Sequence, residues 1–280
     1  GRVRALNRLG SAFAPLSNWV AESPPVRAVT NRMLGLSPKR SLPPFARSLF
    51  RRLRATSPQP NEGLPADAPA VVLYADCFST YNEPEIGLAA VRLLNAFGYR
   101  VVLPRIGCCG RPPVSTGLLA EAARCRDSAS QVLAETLERE GADVVLVLEP
   151  SCLSAIQDEW RDLRDRPGGE VPHATRLERL SAASALVEDF LAARWTEHPR
   201  RPAFAPPEGR VLLHGHCHQK ALGGLEAGAG LLRRIAGDRL EVLDSGCCGM
   251  AGSFGYVERR YDVSMAVGEE TLFPRVRAME

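Results

Sequence analysis

The sequence of 280 residues predicts an α/β protein made of two related units, preceded by a basic arm of short helices. The first observation is an internal repeat, because Gly107-Cys108-Cys109-Gly110 recurs as Gly246-Cys247-Cys248-Gly249. The second is that each copy follows a strand-like run and a cysteine, Cys77 or Cys217, which lies 31 positions before Cys108 or 30 before Cys247. The third is the alternation of strand and helix patterns, typical of parallel strands with right-handed crossovers. Together they indicate two pseudo-repeated Rossmann-like units with cysteines at the carboxyl ends of the strands.

Residues 1–68 form the predicted arm. Up to position 60 this segment carries many arginines and Lys39 but a single acidic residue, Glu22. Prolines such as Pro24-Pro25 and Pro43-Pro44 break it into short helical pieces. We expect a solvated basic arm or linker. The alternative is a docking surface for an acidic partner or for an anionic membrane face.

Residues 69–200 contain the first repeat and a connecting helix. Apolar, β-branched runs predict three buried strands, over residues 71–75, 101–103 and 144–148. Apolar residues at helical spacing predict three helices, over residues 85–97, 117–139 and 176–195. The third strand leads directly to Cys152.

The pattern restarts in residues 201–280, which form the second repeat. Here the sequence predicts strands over 211–213 and 240–243 and helices over 225–235 and 256–273. The position equivalent to Cys152 would lie beyond the last residue, Glu280. The second repeat is therefore expected to be cut short, and the chain to be part of a longer protein.

The composition excludes several classes of protein. The apolar fraction of 45% is ordinary for a globular protein. The net charge of +3 is small, and no arginine cluster falls beside base-stacking aromatic residues, which argues against nucleic-acid binding. No apolar run approaches the ~20 residues of a membrane helix, and the N-terminus lacks the apolar core of a signal peptide. We expect a cytoplasmic protein with reduced thiols.

The cysteines of the repeats predict a metal or redox centre. Ligands of parallel α/β sheets gather beyond the carboxyl ends of the strands, where Cys77, the Cys108-Cys109 pair and Cys152 are expected to converge. Such thiolates hold an iron–sulfur cluster or a zinc ion. Adjacent cysteines bind two irons of a cluster more easily than two corners of a zinc tetrahedron. Gly110 and Gly249 let the backbone bend and direct amide N–H groups at sulfur.

Two other interpretations of the cysteines stay open. One is a vicinal disulfide or reactive thiol pair, and the other is that the cysteines are merely small buried residues. Cys125 lies outside both repeats, in the predicted helix over 117–139, and is interpreted as an ordinary helix residue.

The second repeat carries polar residues that the first lacks. His214, His216 and His218 alternate around Cys217, so in a strand the three imidazoles would share one face. One or two of them are candidate ligands, proton donors or partners of a quinone oxygen. Lys220 is a candidate for stabilising an anionic substrate or a reduced quinone, and is otherwise a surface charge. We therefore assign His216, His218 and Lys220 as candidate catalytic residues.

From about residue 70 onward the chain resembles the cysteine-rich CCG domain. This domain occurs twice in one of the subunits of heterodisulfide reductase. It also occurs in iron–sulfur subunits of glycolate oxidase, lactate-utilisation and anaerobic glycerol-3-phosphate dehydrogenase systems, and in the C-terminal part of FAD-linked D-lactate or D-2-hydroxyglutarate dehydrogenases. Three motifs carry the resemblance and are most similar to those of the FAD-linked enzymes: LEPSCLSAI, HGHCHQKAL and DSGCCGMAGSFGY.

The resemblance implies that the cysteines bind a 4Fe–4S cluster, cubane or noncubane. The family pattern ends in Cys-x-x-Cys, but here Cys152 is followed three residues later by Ala155. This departure favours a four-cysteine cubane over the five-cysteine noncubane cluster. The implied metal ligands are Cys77, Cys108, Cys109, Cys152, Cys217, Cys247 and Cys248. In the second repeat a histidine, a substrate or an open iron site takes the place of the missing last cysteine, and some similar proteins hold zinc at one repeat.

The resemblance also implies partners. The chain lacks ferredoxin-type Cys-x-x-Cys clusters and anything resembling a flavin-binding domain. A partner domain or subunit with FAD would oxidise the hydroxy acid, a ferredoxin-type module would carry single electrons, and this domain would pass them to a quinone or another acceptor. The expected place is the cytoplasm, at the inner face of the membrane if the arm binds lipid.

Two alternatives to electron transfer remain at this point. A zinc-stabilised structural or docking module would be colourless and would contain no reducible centre. A heterodisulfide or thiol–disulfide oxidoreductase would be active without metal and would be inactivated by thiol reagents.

Overall fold

The computed structural model describes residues 3–164 and 173–279 and confirms the α/β class with parallel sheets. The chain forms two compact units. The first comprises Gly1–Ala12 and Ala46–Ala203, and the second comprises Phe13–Phe45 and Phe204–Glu280. The first 45 residues are thus divided between the two units. The domain limits inferred from the sequence stay a prediction.

All strands of the described residues except β4 lie close to their predicted positions. The strands are: β1 (Ala70–Tyr74), β2 (Arg100–Val102), β3 (Val145–Val147), β4 (Ser184–Leu186), β5 (Val211–Leu213) and β6 (Leu240–Val242). The helices follow in chain order: α1 (Val3–Ala12), α2 (Leu16–Glu22), α3 (Pro24–Leu34), α4 (Leu49–Leu53), α5 (Cys77–Tyr81), α6 (Pro84–Ala96), α7 (Arg111–Ser115), α8 (Leu119–Glu140), α9 (Pro150–Ser154), α10 (Trp160–Asp162), α11 (Ala174–Ala183), α12 (Val187–Ala193), α13 (Cys217–Leu222), α14 (Glu226–Ala236), α15 (Tyr261–Glu269) and α16 (Leu272–Arg277).

The first unit is built on a parallel sheet in the order β2-β1-β3-β4. Strands β1 and β3 are in the middle and are almost completely buried. Helices cover parallel sheets on both faces, which explains why these strands are continuous apolar runs rather than alternating ones. Helix α8 buries Ala122, Ala129, Leu133 and Leu137 in the same core.

The helix predicted over 176–195 is wrong in one respect, because strand β4 interrupts it. Ser184 ends α11 in an extended conformation, and its hydroxyl donates to the Leu180 carbonyl oxygen at 2.7 Å. Residues 184–186 then pair with β3 and bury Leu186. Pairing with an otherwise open strand edge outweighs the helical periodicity of the segment.

The second unit pairs β5 with β6 in parallel and packs α14 beside β6. The helix predicted over 256–273 is also interrupted. Val257 is extended and bridges to Leu36, while the Ser37 amide donates to the Tyr256 carbonyl oxygen at 2.8 Å. This pairing delays the helix until Tyr261, and Thr271 separates α15 from α16.

The basic arm forms short helices, as predicted, and its first helix belongs to the first unit. Within the described residues, no helix combines the length and the apolar composition that a bilayer span requires.

Candidate functional site: a cluster of cysteine thiols

Three neighbouring strands of the first unit each lead to a cysteine. Cys77 is the first residue of α5 after β1, the Cys108-Cys109 pair lies in the loop after β2, and Cys152 lies in α9 after β3. Because these strands are parallel, all of the loops leave the sheet at its carboxyl edge. The fold therefore brings together the four cysteines that the sequence analysis assigned to the first repeat.

The thiols contact one another directly. The Sγ atoms of Cys109 and Cys152 are 3.2 Å apart. Cys108 shares hydrogen bonds with Cys77, Cys109 and Cys125. All eight cysteines of the chain are free thiols. The site is a continuous network of sulfur atoms at the edge of the sheet.

The network polarises its members. Hydrogen bonds from Cys109, Cys125 and Cys77 hold the pKa of Cys108 below its ordinary value. The hydrogen bond to Cys108, followed by burial, raises the pKa of Cys77. The pKa of Cys109 is also raised, by its hydrogen bonds to Cys108 and Cys152 and by burial. One sulfur is thus favoured as a thiolate, surrounded by protonated thiols.

Buried aromatic side chains fix the loop that carries the pair. The indole Nε1 of Trp160 donates to the Cys109 carbonyl oxygen at 2.7 Å. The hydroxyl of Tyr74 donates to the Gly107 carbonyl oxygen at 3.2 Å. Both side chains are almost fully buried, so these hydrogen bonds satisfy a buried indole N–H and a buried phenol hydroxyl.

Gly110 makes the sharp turn that follows the pair. Its φ of +91° is a left-handed conformation that side chains with a Cβ rarely adopt, and a Cβ there would lie 3.1 Å from the Ala122 carbonyl oxygen. The Gly110 amide donates to Cys108. The structure places the glycine where the sequence analysis expected it, with its N–H directed at sulfur.

Acidic residues cap the two helices that carry Cys77 and Cys152. The carboxylate of Asp76 accepts from the amides of Phe78 and Ser79, and that of Glu149 accepts from the Ser151 amide. Burial raises the pKa of Asp76. These caps fix the first turn of each helix, where the cysteines lie.

A basic side chain from the N-terminal arm reaches the thiols. Arg4 in α1 places Nη1 3.8 Å from Cys77 Sγ and 3.4 Å from the Ala75 carbonyl oxygen. Its guanidinium lies 5.4 Å from the centre of the Tyr81 ring. Burial lowers the pKa of Arg4, but Cys77 and the neighbouring tyrosines raise it more, so the arginine is a fixed positive charge beside the cluster.

The second unit repeats the local arrangement. Cys217 is the first residue of α13, after β5, and shares a hydrogen bond with Cys247. The Gly249 amide donates to Cys247 Sγ at 3.3 Å, and its φ is +82°. Burial and the hydrogen bond to Cys247 raise the pKa of Cys217. Cys248 is partly buried in the same loop.

The predicted common face of three histidines is wrong. Strand β5 ends at Leu213, before His214, and α13 begins at Cys217. His216 caps this helix, because its Nδ1 accepts from the His218 amide at 3.2 Å. The rings of His216 and His218 nevertheless stack, with centroids 5.2 Å apart. The strand-to-helix turn, rather than a strand face, brings these two rings together.

His214 and Lys220 bind the backbone and side chain of the second cysteine loop. His214 Nδ1 lies 2.7 Å from Ser245 Oγ, and burial together with the positive charge of Lys220 lowers the pKa of this histidine. Lys220 Nζ donates to the carbonyl oxygens of Ser245 and Gly246. The lysine thus tethers the loop that carries Cys247.

Cys125 is the residue that sequence analysis missed. It lies partly buried in α8, and its thiol shares a hydrogen bond with that of Cys108. Nothing in the spacing of the repeats pointed to it, because the contact depends on how α8 packs across the Cys108-Cys109 loop. The signal in the sequence was only that a thiol occurs within the helix that follows a Cys-Cys-Gly motif.

The site offers the type of donor that holds iron–sulfur clusters, because cysteine thiols from three loops meet there. Iron–sulfur clusters are held by cysteine thiolates, and here thiols from successive loops lie in contact and unoxidised. Within residues 3–164 and 173–279, no three or more His, Cys, Asp or Glu side chains are arranged to hold a metal ion. The sulfur atoms lie against one another instead of around one shared centre.

Curated relatives show where similar sequences occur. The chain is 27% identical over 269 residues to a subunit of the anaerobic glycerol-3-phosphate dehydrogenase of Escherichia coli (strain K12), covering 94% of this chain and 63% of the relative. It is 28% identical over 210 residues to lactate utilization protein A of an Exiguobacterium species, covering 72% and 79%. It is 24% identical over 272 residues to the D-2-hydroxyglutarate dehydrogenase of Escherichia coli (strain K12), covering 92% and 25%. The chain thus spans less than two thirds of the first relative and a quarter of the last.

The family model described as the cysteine-rich domain, CCG, matches residues 71–157. No solved structure matches the chain significantly. The matched residues run from β1 to the helical segment beyond Cys152, so they contain the complete thiol network of the first unit. Over residues 71–157, this match confirms the resemblance of the chain to cysteine-rich CCG domains.

Proposed function

We propose that the chain is the iron–sulfur electron-transfer part of an FAD-linked 2-hydroxyacid dehydrogenase of the D-lactate, glycolate or D-2-hydroxyglutarate type. The observation that carries the proposal is the contact network of Cys77, Cys108, Cys109 and Cys152 within the family-matched segment. The relatives named for lactate utilization and for D-2-hydroxyglutarate dehydrogenase support the substrate class.

In this proposal the four thiols of the first unit hold a 4Fe–4S cluster. The cluster, when bound, accepts and releases single electrons. The residues around it have separate tasks: the Gly110 amide and the Arg4 guanidinium stabilise negative charge on sulfur, and Trp160 holds the loop in place. Binding requires the protonated thiols to lose their protons, so cluster assembly releases protons to solvent.

We assign the second unit to the acceptor side. Cys217, Cys247 and Cys248 are its candidate ligands for iron or zinc, and Gly249 plays the part of Gly110. Cys217 is exposed, so a molecule from outside can reach this site. The stacked His216 and His218 rings and the nearby Lys220 supply proton donors and positive charge at the same turn. This chemistry suits a quinone, which takes up protons when it is reduced.

The implied partners follow from what the chain lacks. Its sequence contains neither a flavin-binding pattern nor ferredoxin-type clusters. We propose an FAD-binding dehydrogenase domain or subunit and a ferredoxin-type module as electron donors, in the cytoplasm or at the inner membrane face. The name of the first relative, a dehydrogenase subunit, is consistent with such an assembly.

A second candidate function is thiol–disulfide exchange. Cys109 and Cys152 already lie in contact, and Cys108 has a lowered pKa. The attacking thiolate must reach its substrate, however, and Cys108 is only 8% exposed. Burial therefore favours the electron-transfer proposal over this alternative.

The test is chemical analysis of anaerobically purified protein for iron, zinc and acid-labile sulfide, with visible spectra before and after dithionite. Iron and sulfide with a broad band that bleaches on reduction are expected. Zinc in colourless protein would move the assignment to a structural module. Metal-free protein that reduces a disulfide would support the exchange reaction.

A further inference from the structure

We propose that Cys125 is a fifth thiolate ligand of the iron–sulfur centre in the first unit. This inference rests on the proposed function and adds a residue that lies outside both cysteine repeats. Cys125 shares a hydrogen bond with Cys108, as Cys77 does. Cys125 and Cys77 therefore contact the same sulfur, that of Cys108, although only Cys77 belongs to a repeat.

The packing of α8 accounts for the position of Cys125. Helix α7 begins immediately after Gly110, and α8 then returns across the cysteine loop. A Cβ added at Gly110 would lie 3.5 Å from Cys125 Cβ and 3.1 Å from the Ala122 carbonyl oxygen. The backbone of the loop thus touches the helix turn that carries Cys125. A glycine at position 110 permits this close approach without backbone strain.

The position where the family pattern has its last cysteine cannot supply the fifth ligand. The residue three positions after Cys152 is Ala155, which is 1% exposed and offers no donor atom in its side chain. It begins a π-helical turn, Ala155–Glu159. Helix α8 instead supplies the thiol of Cys125, which shares a hydrogen bond with Cys108.

Binding in this way changes no oxidation state at sulfur. The Cys125 thiol loses its proton to solvent, and the sulfur lone pair forms a bond to iron. Cys125 is partly exposed, so a proton can leave without crossing the core. With Cys77, Cys108, Cys109 and Cys152, the first unit then provides one more thiolate than a four-cysteine cubane needs.

The experiment compares Cys125→Ala and Cys125→Ser with Val132→Ala in the anaerobically purified full chain. Val132 lies in the same helix, is partly buried against the same core and carries no donor. Iron and sulfide per folded chain and the Mössbauer spectrum are measured, with circular dichroism as the check on folding. We expect both Cys125 variants to lose about half or more of the first-unit iron, or to give a new Mössbauer spectrum, while Val132→Ala matches the wild type.

Alkylation of the unaltered protein gives a second readout that does not depend on a variant folding. Iodoacetamide followed by mass spectrometry should modify Cys125 in iron-depleted protein and leave it unmodified in the iron-loaded protein. Modification of Cys125 without loss of iron, or wild-type iron and spectrum in both variants, would overturn the ligand assignment alone. A wild-type protein without iron would overturn the proposed function and this inference with it.

Discussion

The first Cys-Cys-Gly motif is buried within a four-stranded unit, whereas the second lies beside a two-stranded sheet. In both, the cysteine that begins a helix shares a hydrogen bond with the first cysteine of the pair. The sulfur of that first cysteine also accepts a hydrogen bond from the amide of a glycine. Yet Cys108 and Cys109 are only 8% and 3% exposed, while Cys247 and Cys248 are partly buried and the neighbouring Cys217 is exposed. The motif determines the local hydrogen bonds, and the surrounding strands and helices determine access.

The proposed function gives the two sites different chemical tasks, in line with this difference. A buried thiol network, with Arg4 and Trp160 fixed around it, is suited to holding a redox group away from water. An exposed cysteine beside stacked histidines and a lysine is suited to meeting a small molecule. The following predictions test this comparison, beginning with the largest expected effect.

Removing the central sulfur of each unit tests whether the two sites hold metal independently. Cys108→Ala should lower the iron bound by the first unit at least about tenfold, because Cys108 contacts three other thiols. Cys247→Ala should leave that iron in place, since Cys247 shares a hydrogen bond with Cys217 of the second unit. The measurement is iron and sulfide per chain. Equal loss in both variants would contradict two separate sites.

Glycine substitutions test how tightly each loop is held. Of three variants, Gly249→Ala should lower the free energy of unfolding most, because a Cβ there would overlap the Ser264 carbonyl group. It would also strain a backbone φ of +82°. Gly110→Ala should cost less, and Gly141→Ala, with a φ of +61° and open space, should show only the strain of about 1–2 kcal/mol. Denaturant unfolding of the three variants gives the order. A Gly110→Ala cost no larger than that of Gly141→Ala would show that the close approach to α8 is unimportant.

The indole of Trp160 supports the first loop. Trp160→Phe removes the donor to the Cys109 carbonyl oxygen and leaves a buried acceptor unpaired, which costs about 1–3 kcal/mol. The free energy of unfolding measures the cost. The phenyl ring retains most of the apolar contact, so an unchanged stability would mean that water replaces the indole N–H.

The charge of Arg4 is expected to tune the first site. Arg4→Gln should make the reduction potential of the first centre more negative, on the order of 60 mV, because a positive charge beside Cys77 favours the more negative reduced state. Arg8→Gln is the control, since Arg8 is exposed on the same helix. Potentiometric titration followed by electron paramagnetic resonance measures the shift. Equal shifts in both variants would point to a general charge effect.

The smallest effect concerns an ion pair at the start of β2. Arg100 Nη1 lies 2.8 Å from Glu140 Oε2, and hydrogen bonds from Arg100 and Arg139 lower the pKa of Glu140. A lowered pKa in the folded state adds stability above the ordinary pKa, and this stability is lost as the pH falls through the lowered value. Glu140→Gln should therefore cost about 0.2–1 kcal/mol at neutral pH and nothing in strong acid. Unfolding curves at several pH values test this dependence.

Local patterns in the sequence were sufficient to predict most of the framework. Apolar runs located β1, β3 and β5, and the rule for strand ends predicted that Cys77, Cys108-Cys109 and Cys152 converge. These features depend on residues that are close in sequence or on the general geometry of parallel sheets.

Features that depend on packing were not predicted. Strand β4 lies within a helical periodicity and forms because β3 offers an open edge. Cys125 reaches Cys108 only because α8 crosses the loop, and His216 ends up capping a helix because β5 stops at Leu213. Each of these depends on contacts between distant segments, which spacing along the chain does not reveal.

The most direct test of the buried redox centre is the Mössbauer spectrum of wild-type protein purified anaerobically from cells grown with isotope-enriched iron. We predict a signal from thiolate-bound, sulfide-bridged iron, with acid-labile sulfide present in matching amount. The assignment of this thiol network as a metal centre would be contradicted by protein that contains no iron and whose thiols are all free. Free thiols would be shown by unfolding the protein without a reducing agent and finding that a thiol reagent modifies Cys77, Cys108, Cys109 and Cys152.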